Sequence, residues 1–276
     1  MIEPLSPLER LRARVDRLGA PLCLGIDPQP DALPEGIEPN ASGLERYARG
    51  LVDAAGPFAA AIKVNVAFFE AFGSAGWAAL ERLRLDVPQD HFLILDAKRG
   101  DIGSTAERYA AGLLGHLGAD AVTLSPYLGE DAVEPFLAYP GRMVYLLART
   151  SNPSAGRLQD QLVEGVPLHE HVARWAATRW TDGRLGLVVG ATVPRELTRL
   201  RQLVPALAFL VPGVGVQGGD LAAAVAACHG SLAPGLVNVS RGIAGGARGG
   251  DWQDAVAASA RGWLVRMREA GATLSA

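Results

Sequence analysis

The chain has 276 residues, 49% of them hydrophobic and 20% charged, which supplies a large core and excludes an intrinsically disordered protein. A net charge of −3 offers no electrostatic reason to expect nucleic acid or an anionic membrane as partner. Apolar runs such as residues 56–62 fall far short of the roughly 18–20 residues of a membrane span.

In chain order, the first signal is Ser6-Pro7-Leu8-Glu9, a capping box with proline at the first helical position. Leu8, Leu11, Val15 and Leu18 follow at helical spacing, so a helix over about residues 7–18 is expected rather than a signal peptide. Eight apolar, β-rich runs come next: residues 22–27, 60–65, 92–98, 121–125, 143–149, 185–191, 208–213 and 236–242. Helical patterns lie between them, at 44–55, 70–85, 105–117, 171–179, 194–203 and 221–227, and 252–270 closes the chain. Eight such alternations predict an α/β fold, a (β/α)₈ TIM barrel, as one domain over residues 1–276. A doubly wound open sheet would need only five or six strands. Three long loops follow the C-terminal ends of strands, at 28–43, 151–168 and 242–250, where barrels carry active sites and where long loops serve as lids. Cys23 and Cys228 sit in apolar surroundings and read as buried thiols of a reduced compartment, so the expected location is the cytoplasm.

Only two of the 26 basic residues are lysines, Lys63 and Lys98. Under so strong a preference for arginine, a surviving lysine marks a position where a compact ammonium that can release a proton is needed. Lys98 belongs to the densest polar cluster, Leu95-Asp96-Ala97-Lys98-Arg99-Gly100-Asp101-Ile102-Gly103-Ser104-Thr105. Strand alternation puts Asp96 and Lys98 on one side at a strand end, and Asp101 lies in the turn before a helix that Ser104 or Thr105 could cap. A lone Asp-x-Lys is more often a surface ion pair, but Lys63 and Asp27 stand at the ends of the two preceding strands. Together these residues make an alternating array of charges at a barrel mouth, suited to preorganised electrostatics.

The other side of the barrel reads differently. Pro212-Gly213-Val214-Gly215-Val216-Gln217-Gly218-Gly219 follows the seventh strand, and Ser240-Arg241-Gly242 ends the eighth. Glycine-rich backbone and one arginine in these two loops suit a phosphate dianion. His169-Glu170-His171 lacks a third ligand and reads as a solvated face rather than a metal site.

At these residues the chain resembles the orotidine 5′-phosphate decarboxylase family, in its longer bacterial subfamily. The most specific element is Asp-x-Lys-x-x-Asp-Ile-x-x-Thr, from Asp96 to Thr105. Gly25-Ile26-Asp27, Lys63-Val64-Asn65, Thr150-Ser151-Asn152-Pro153, Gln217-Gly218-Gly219-Asp220 and Ser240-Arg241-Gly242 support it. The resemblance implies conversion of orotidine 5′-phosphate to UMP and CO₂, the last step of de novo pyrimidine synthesis, with no cofactor and no metal. It implies Lys98 as proton donor, Asp96 beside the substrate carboxylate, and Lys63 and Asp27 on the ribose hydroxyls. Ser151 would read the pyrimidine edge, while Pro212, Gly213, Gln217, Arg241 and Gly242 would hold the phosphate. Asp101, Ile102 and Thr105 would reach into the site of a partner subunit, making a homodimer with shared active sites. Metal-dependent 3-keto-hexulose phosphate enzymes look similar through the same element, but tend to carry an acidic ligand where this chain has Lys63. A Schiff-base aldolase would want a lysine that loses its proton, and a phosphate-sensing barrel would have no use for the Asp/Lys array.

Overall fold

The computed structural model describes residues 5–229, 233–246 and 248–275. Its strands are β1 (Leu22–Ile26), β2 (Ala61–Asn65), β3 (Phe92–Arg99), β4 (Ala121–Leu124), β5 (Met143–Arg149), β6 (Leu162–Val163), β7 (Val166–Pro167), β8 (Leu185–Val189), β9 (Ala208–Val211) and β10 (Leu236–Val239). Eight of them pair in parallel around a closed ring in the order β1-β10-β9-β8-β5-β4-β3-β2. These are the eight runs expected from the sequence. Strands covered by helices outside and packed side chains inside read as continuous apolar runs, and β1 and β8 are buried at every position. Tyr145 is the largest fully buried side chain of this core.

The barrel strands stop one to three residues earlier than the apolar runs predict in several places. β1 ends at Ile26, before Asp27, and β10 ends at Val239, before Ser240, Arg241 and Gly242. Polar side chains take over there, and the backbone leaves the ladder to present them at the mouth.

The helices differ more. The run predicted at 70–85 is two helices, Ala67–Glu70 and Gly73–Asp86, broken where Gly73 takes a φ of +58°. The run predicted at 105–117 starts earlier, as Gly103–Ala110, and continues as a π-helical turn over Ala111–His116. Ile102 therefore occupies its N-cap with no side-chain cap bond, and neither Ser104 nor Thr105 caps it. The last helix extends to Ser275.

One element was not expected. β6 and β7 form an antiparallel hairpin inside the long loop after β5, turning through Glu164 and Gly165, both at positive φ.

The opposite end of the barrel is closed by the N-terminal helix, Pro7–Leu18, whose capping box is formed: Glu9 Oε2 accepts the Ser6 N–H at 2.8 Å. Leu11 and Leu18 are buried under it, and the buried Arg14 donates to Ala59 O and Gly56 O. Asp120, in a short turn at that same end, takes ion pairs from Arg10 and Arg142. These charges fasten structure, far from the mouth. Among the described residues no helix is long and apolar enough to cross a membrane.

Candidate active site

Asp96, near the end of β3, is the hub of the charged array. Its Oδ1 accepts Lys98 Nζ at 2.6 Å and Thr123 Oγ1 at 2.8 Å, and its Oδ2 accepts Lys63 Nζ at 2.8 Å. Lys63, on β2, also lies 3.8 Å from Asp27 Oδ1, just beyond β1. Parallel register explains the grouping, since Asn65 stands beside Asp96 and Gly25 beside Lys63 on neighbouring strands.

Charges this deep hold one another ionised. Burial pushes the Asp96 carboxyl up, but the Lys63 and Lys98 ammonium groups and their hydrogen bonds outweigh it and hold it well below the usual range. Burial pushes the Lys63 ammonium down, yet Asp27 and Asp96 win and hold it well above its ordinary range. Burial raises the thiol of Cys23, on β1, to about 12, so it stays protonated and takes no part.

Lys98 differs from Lys63 in two ways. Its side chain is 49% exposed, and its backbone sits in the left-handed region at φ +46°. β3 shifts register against β4 between Leu95 and Arg99, and the Lys98 N–H donates to Thr123 Oγ1 at 3.0 Å. Asp96 and Lys98 do meet, but through an irregular strand end rather than through simple alternation. Such strain persists only where surrounding bonds hold it, and Thr123 holds both members of the pair. Thr123 was missed from sequence; its one signal is a hydroxyl in the otherwise apolar run of β4.

The array forms one wall of a cavity of about 500 Å³. Ser151, Pro212, Gly213, Gln217, Arg241 and Gly242 line the same cavity, so the proposed phosphate and pyrimidine residues share one space with the lysines. Ser151 Oγ reaches Gln217 Oε1 at 3.5 Å across it. A Cβ on Gly190 would stand 2.9 Å from the Ser151 backbone, so glycine is what lets that segment pack onto the barrel rim. Asn65, Thr150, Asn152 and Ser240, quoted above only as parts of motifs, also line the cavity. Gln159 and Asn238 line it too and were not singled out, being common polar residues with no local pattern to mark them.

Asp101, Ile102 and Thr105 do not line this cavity. Asp101 Oδ1 accepts the Ile102 N–H at 2.8 Å, while Ile102 is 52% exposed and Thr105 faces solvent.

The reading of His169-Glu170-His171 as a solvated face is corrected. His169 and Glu170 are buried at the start of the helix Leu168–Arg179, His169 against the loop after β5 and Glu170 against two arginines. His169 Nδ1 bonds Gln159 O at 2.9 Å, His171 Nε2 bonds Val163 O at 2.8 Å, and Glu170 pairs with Arg174 and Arg199. Among the described residues no group of three or more His, Cys, Asp and Glu side chains is placed to hold a metal ion.

A protein-family model described as the orotidine 5′-phosphate decarboxylase / HUMPS family matches residues 20–250. The chain belongs to this family. The orotidine 5′-phosphate decarboxylase of Roseiflexus castenholzii is 50% identical over 243 residues, covering 87% of this chain and 89% of that one. The solved OMP decarboxylase of Leishmania donovani superposes with a TM-score of 0.82 at 38% identity, covering 96% of this chain and 99% of that one. The UMP synthase of the same organism superposes at 0.85, also 38% identical; 97% of this chain matches 57% of that longer one. Barrel and family thus agree over nearly the whole length.

Proposed function

We propose that decarboxylation of orotidine 5′-phosphate to UMP and CO₂ runs here on the Asp27–Lys63–Asp96–Lys98 array, with Lys98 as the proton donor. The observation that carries this is the single cavity. It holds an ammonium that is half exposed, beside a carboxylate that stays ionised, in one space with Arg241 and Gln217.

Arg241, Gln217 and the backbone N–H groups of Gly213 and Gly242 hold the phosphate dianion, with Pro212 shaping the wall beside them. Lys63 and Asp27 take the ribose hydroxyls, and Ser151 reads the edge of the pyrimidine. The orotate carboxylate then lies against Asp96 and Lys98. The bond from C6 to the carboxylate breaks with its electron pair left on C6, and CO₂ departs. Carbanion charge grows beside the Lys98 ammonium, whose position Asp96 and Thr123 have already set, so little reorganisation is needed. Lys98 Nζ gives its proton to C6, which makes UMP, and the neutral amine takes a proton from water. Binding energy at the phosphate, remote from C6, is expressed in the transition state by ordering the loops around the reacting ring.

The active unit is a homodimer. Asp101, Ile102 and Thr105 stand outside their own chain's cavity, and Ile102, Thr105 and nearby Tyr109 are exposed, which leaves them available to a two-fold partner. The buried free thiols suit a reducing cytoplasm.

The test is a spectrophotometric assay of orotidine 5′-phosphate loss, run with and without EDTA. Turnover that survives exhaustive chelation is the expected result. A rate restored only by added Mg²⁺ would move the chain to the metal-dependent sugar-phosphate branch.

A further inference from the structure

We infer that Gln159 is a positioning residue for pyrimidine recognition, holding the Thr150–Ser151 backbone in place from the long loop that follows β5. The inference rests on the reading of Ser151 given above. Gln159 Oε1 accepts the Thr150 N–H at 2.8 Å, and Gln159 Nε2 donates to Thr150 Oγ1 at 2.9 Å. Thr150 Oγ1 in turn donates to Asn152 Oδ1 at 2.7 Å. One carboxamide therefore fixes both ends of Thr150, and through it the residues on either side of Ser151. The Thr150 N–H is a backbone donor beyond the barrel ladder, and without Gln159 it would be left unsatisfied at the cavity wall.

Gln159 can act as a template because it is itself held. Its carbonyl accepts His169 Nδ1–H at 2.9 Å. Its neighbour Asp160 takes the guanidinium fork of Arg149 at 2.7 and 3.0 Å, and Arg149 is the last residue of β5. Arg149 and His169 are both buried, where charge-assisted and fully paired bonds are strongest. The loop is thus bolted to the barrel wall at one end and to the helix Leu168–Arg179 at the other. This part of the segment, expected from its length to be a lid, is built as a buttress. Gly190 closes the arrangement from the other side, leaving the Ser151 backbone no room to shift inward.

The test compares two ligands on the intact enzyme. UMP carries the pyrimidine and ribose 5-phosphate does not. Gln159→Met keeps the side-chain length and removes both hydrogen bonds. Its UMP Kd should rise about tenfold while its ribose 5-phosphate Kd stays at the wild-type value. Gln159→Glu, which keeps an acceptor for the Thr150 N–H, should recover most of the lost UMP affinity. Wild-type UMP affinity in Gln159→Met, an equal loss for both ligands, or a Glu variant as weak as the Met variant each overturns the inference. Wild-type protein that binds ribose 5-phosphate but not UMP overturns the underlying reading of Ser151 instead.

Discussion

Lys98 donates to Asp96 Oδ1 at 2.6 Å from a backbone held at φ +46°, a conformation that costs a non-glycine residue on the order of 1–3 kcal/mol. The strain is placed where the chemistry needs it. A regular strand would carry the Lys98 ammonium along the pleat, whereas the irregular end turns it back over the carboxylate that orients it. Thr123 locks both partners, accepting the Lys98 N–H and donating to Asp96. The pair is preorganised before substrate arrives.

Arg241 tests the phosphate end. Arg241→Ala should lower kcat/KM for orotidine 5′-phosphate by at least about a hundredfold, the scale of losing a charge-assisted pair to a dianion. Turnover of the nucleoside that lacks the phosphate should hardly change. Equal losses on both substrates would mean that Arg241 does not contact the phosphate.

The shared site is tested by mixing two inactive proteins, Lys98→Ala and Asp101→Ala, under conditions where subunits exchange. A hybrid dimer has one site with both defects and one with neither. Random pairing makes half of the dimers hybrid, so activity should return to about a quarter of wild type. Tagging one variant and recovering both chains together establishes that exchange took place. Confirmed exchange with no recovery would place Asp101 in its own chain's site.

The charged array also predicts a pH window for stability. Asp96 has its pKa lowered on folding from the ordinary 3.8, so its contribution is complete above that value and is lost as pH falls through the depressed one. Lys63 has its pKa raised from 10.5, so its contribution is complete below that value and is lost as pH rises through the elevated one. Thermal denaturation of wild type and Asp96→Asn should therefore give a Tm difference that is flat from about pH 5 to pH 9 and shrinks on acidification below pH 4. A difference that grows under acid would reverse the assignment of the ionised state.

Strand number, strand order and the Asp27–Lys63–Asp96–Lys98 grouping were legible because each rests on a local signal. Apolar runs mark the strands, and two rare lysines mark their ends. What escaped was long-range or irregular. Thr123 meets Asp96 only across a strand pair, and Gln159 meets Thr150, nine positions away, only after the intervening loop closes. His169 and Glu170 look like surface residues until Gln159 and the arginines Arg174 and Arg199 meet them. The β6–β7 hairpin escaped too, though the Glu164-Gly165 pair between apolar residues was a turn signal for it. The positive φ of Lys98 has no sequence signal, since nothing in Ala97-Lys98-Arg99 favours a left-handed residue.

The central claim is that Lys98 supplies the C6 proton, and Lys98→Arg tests it most directly. Arginine keeps the positive charge beside Asp96 but holds its proton too tightly to give it to carbon. The measurement is the rate of orotidine 5′-phosphate loss in a single turnover, with UMP binding followed on the same preparation. The account predicts a folded variant that still binds UMP and has lost at least about a thousandfold in decarboxylation rate. Turnover within about tenfold of wild type would contradict it and remove Lys98 from the donor role.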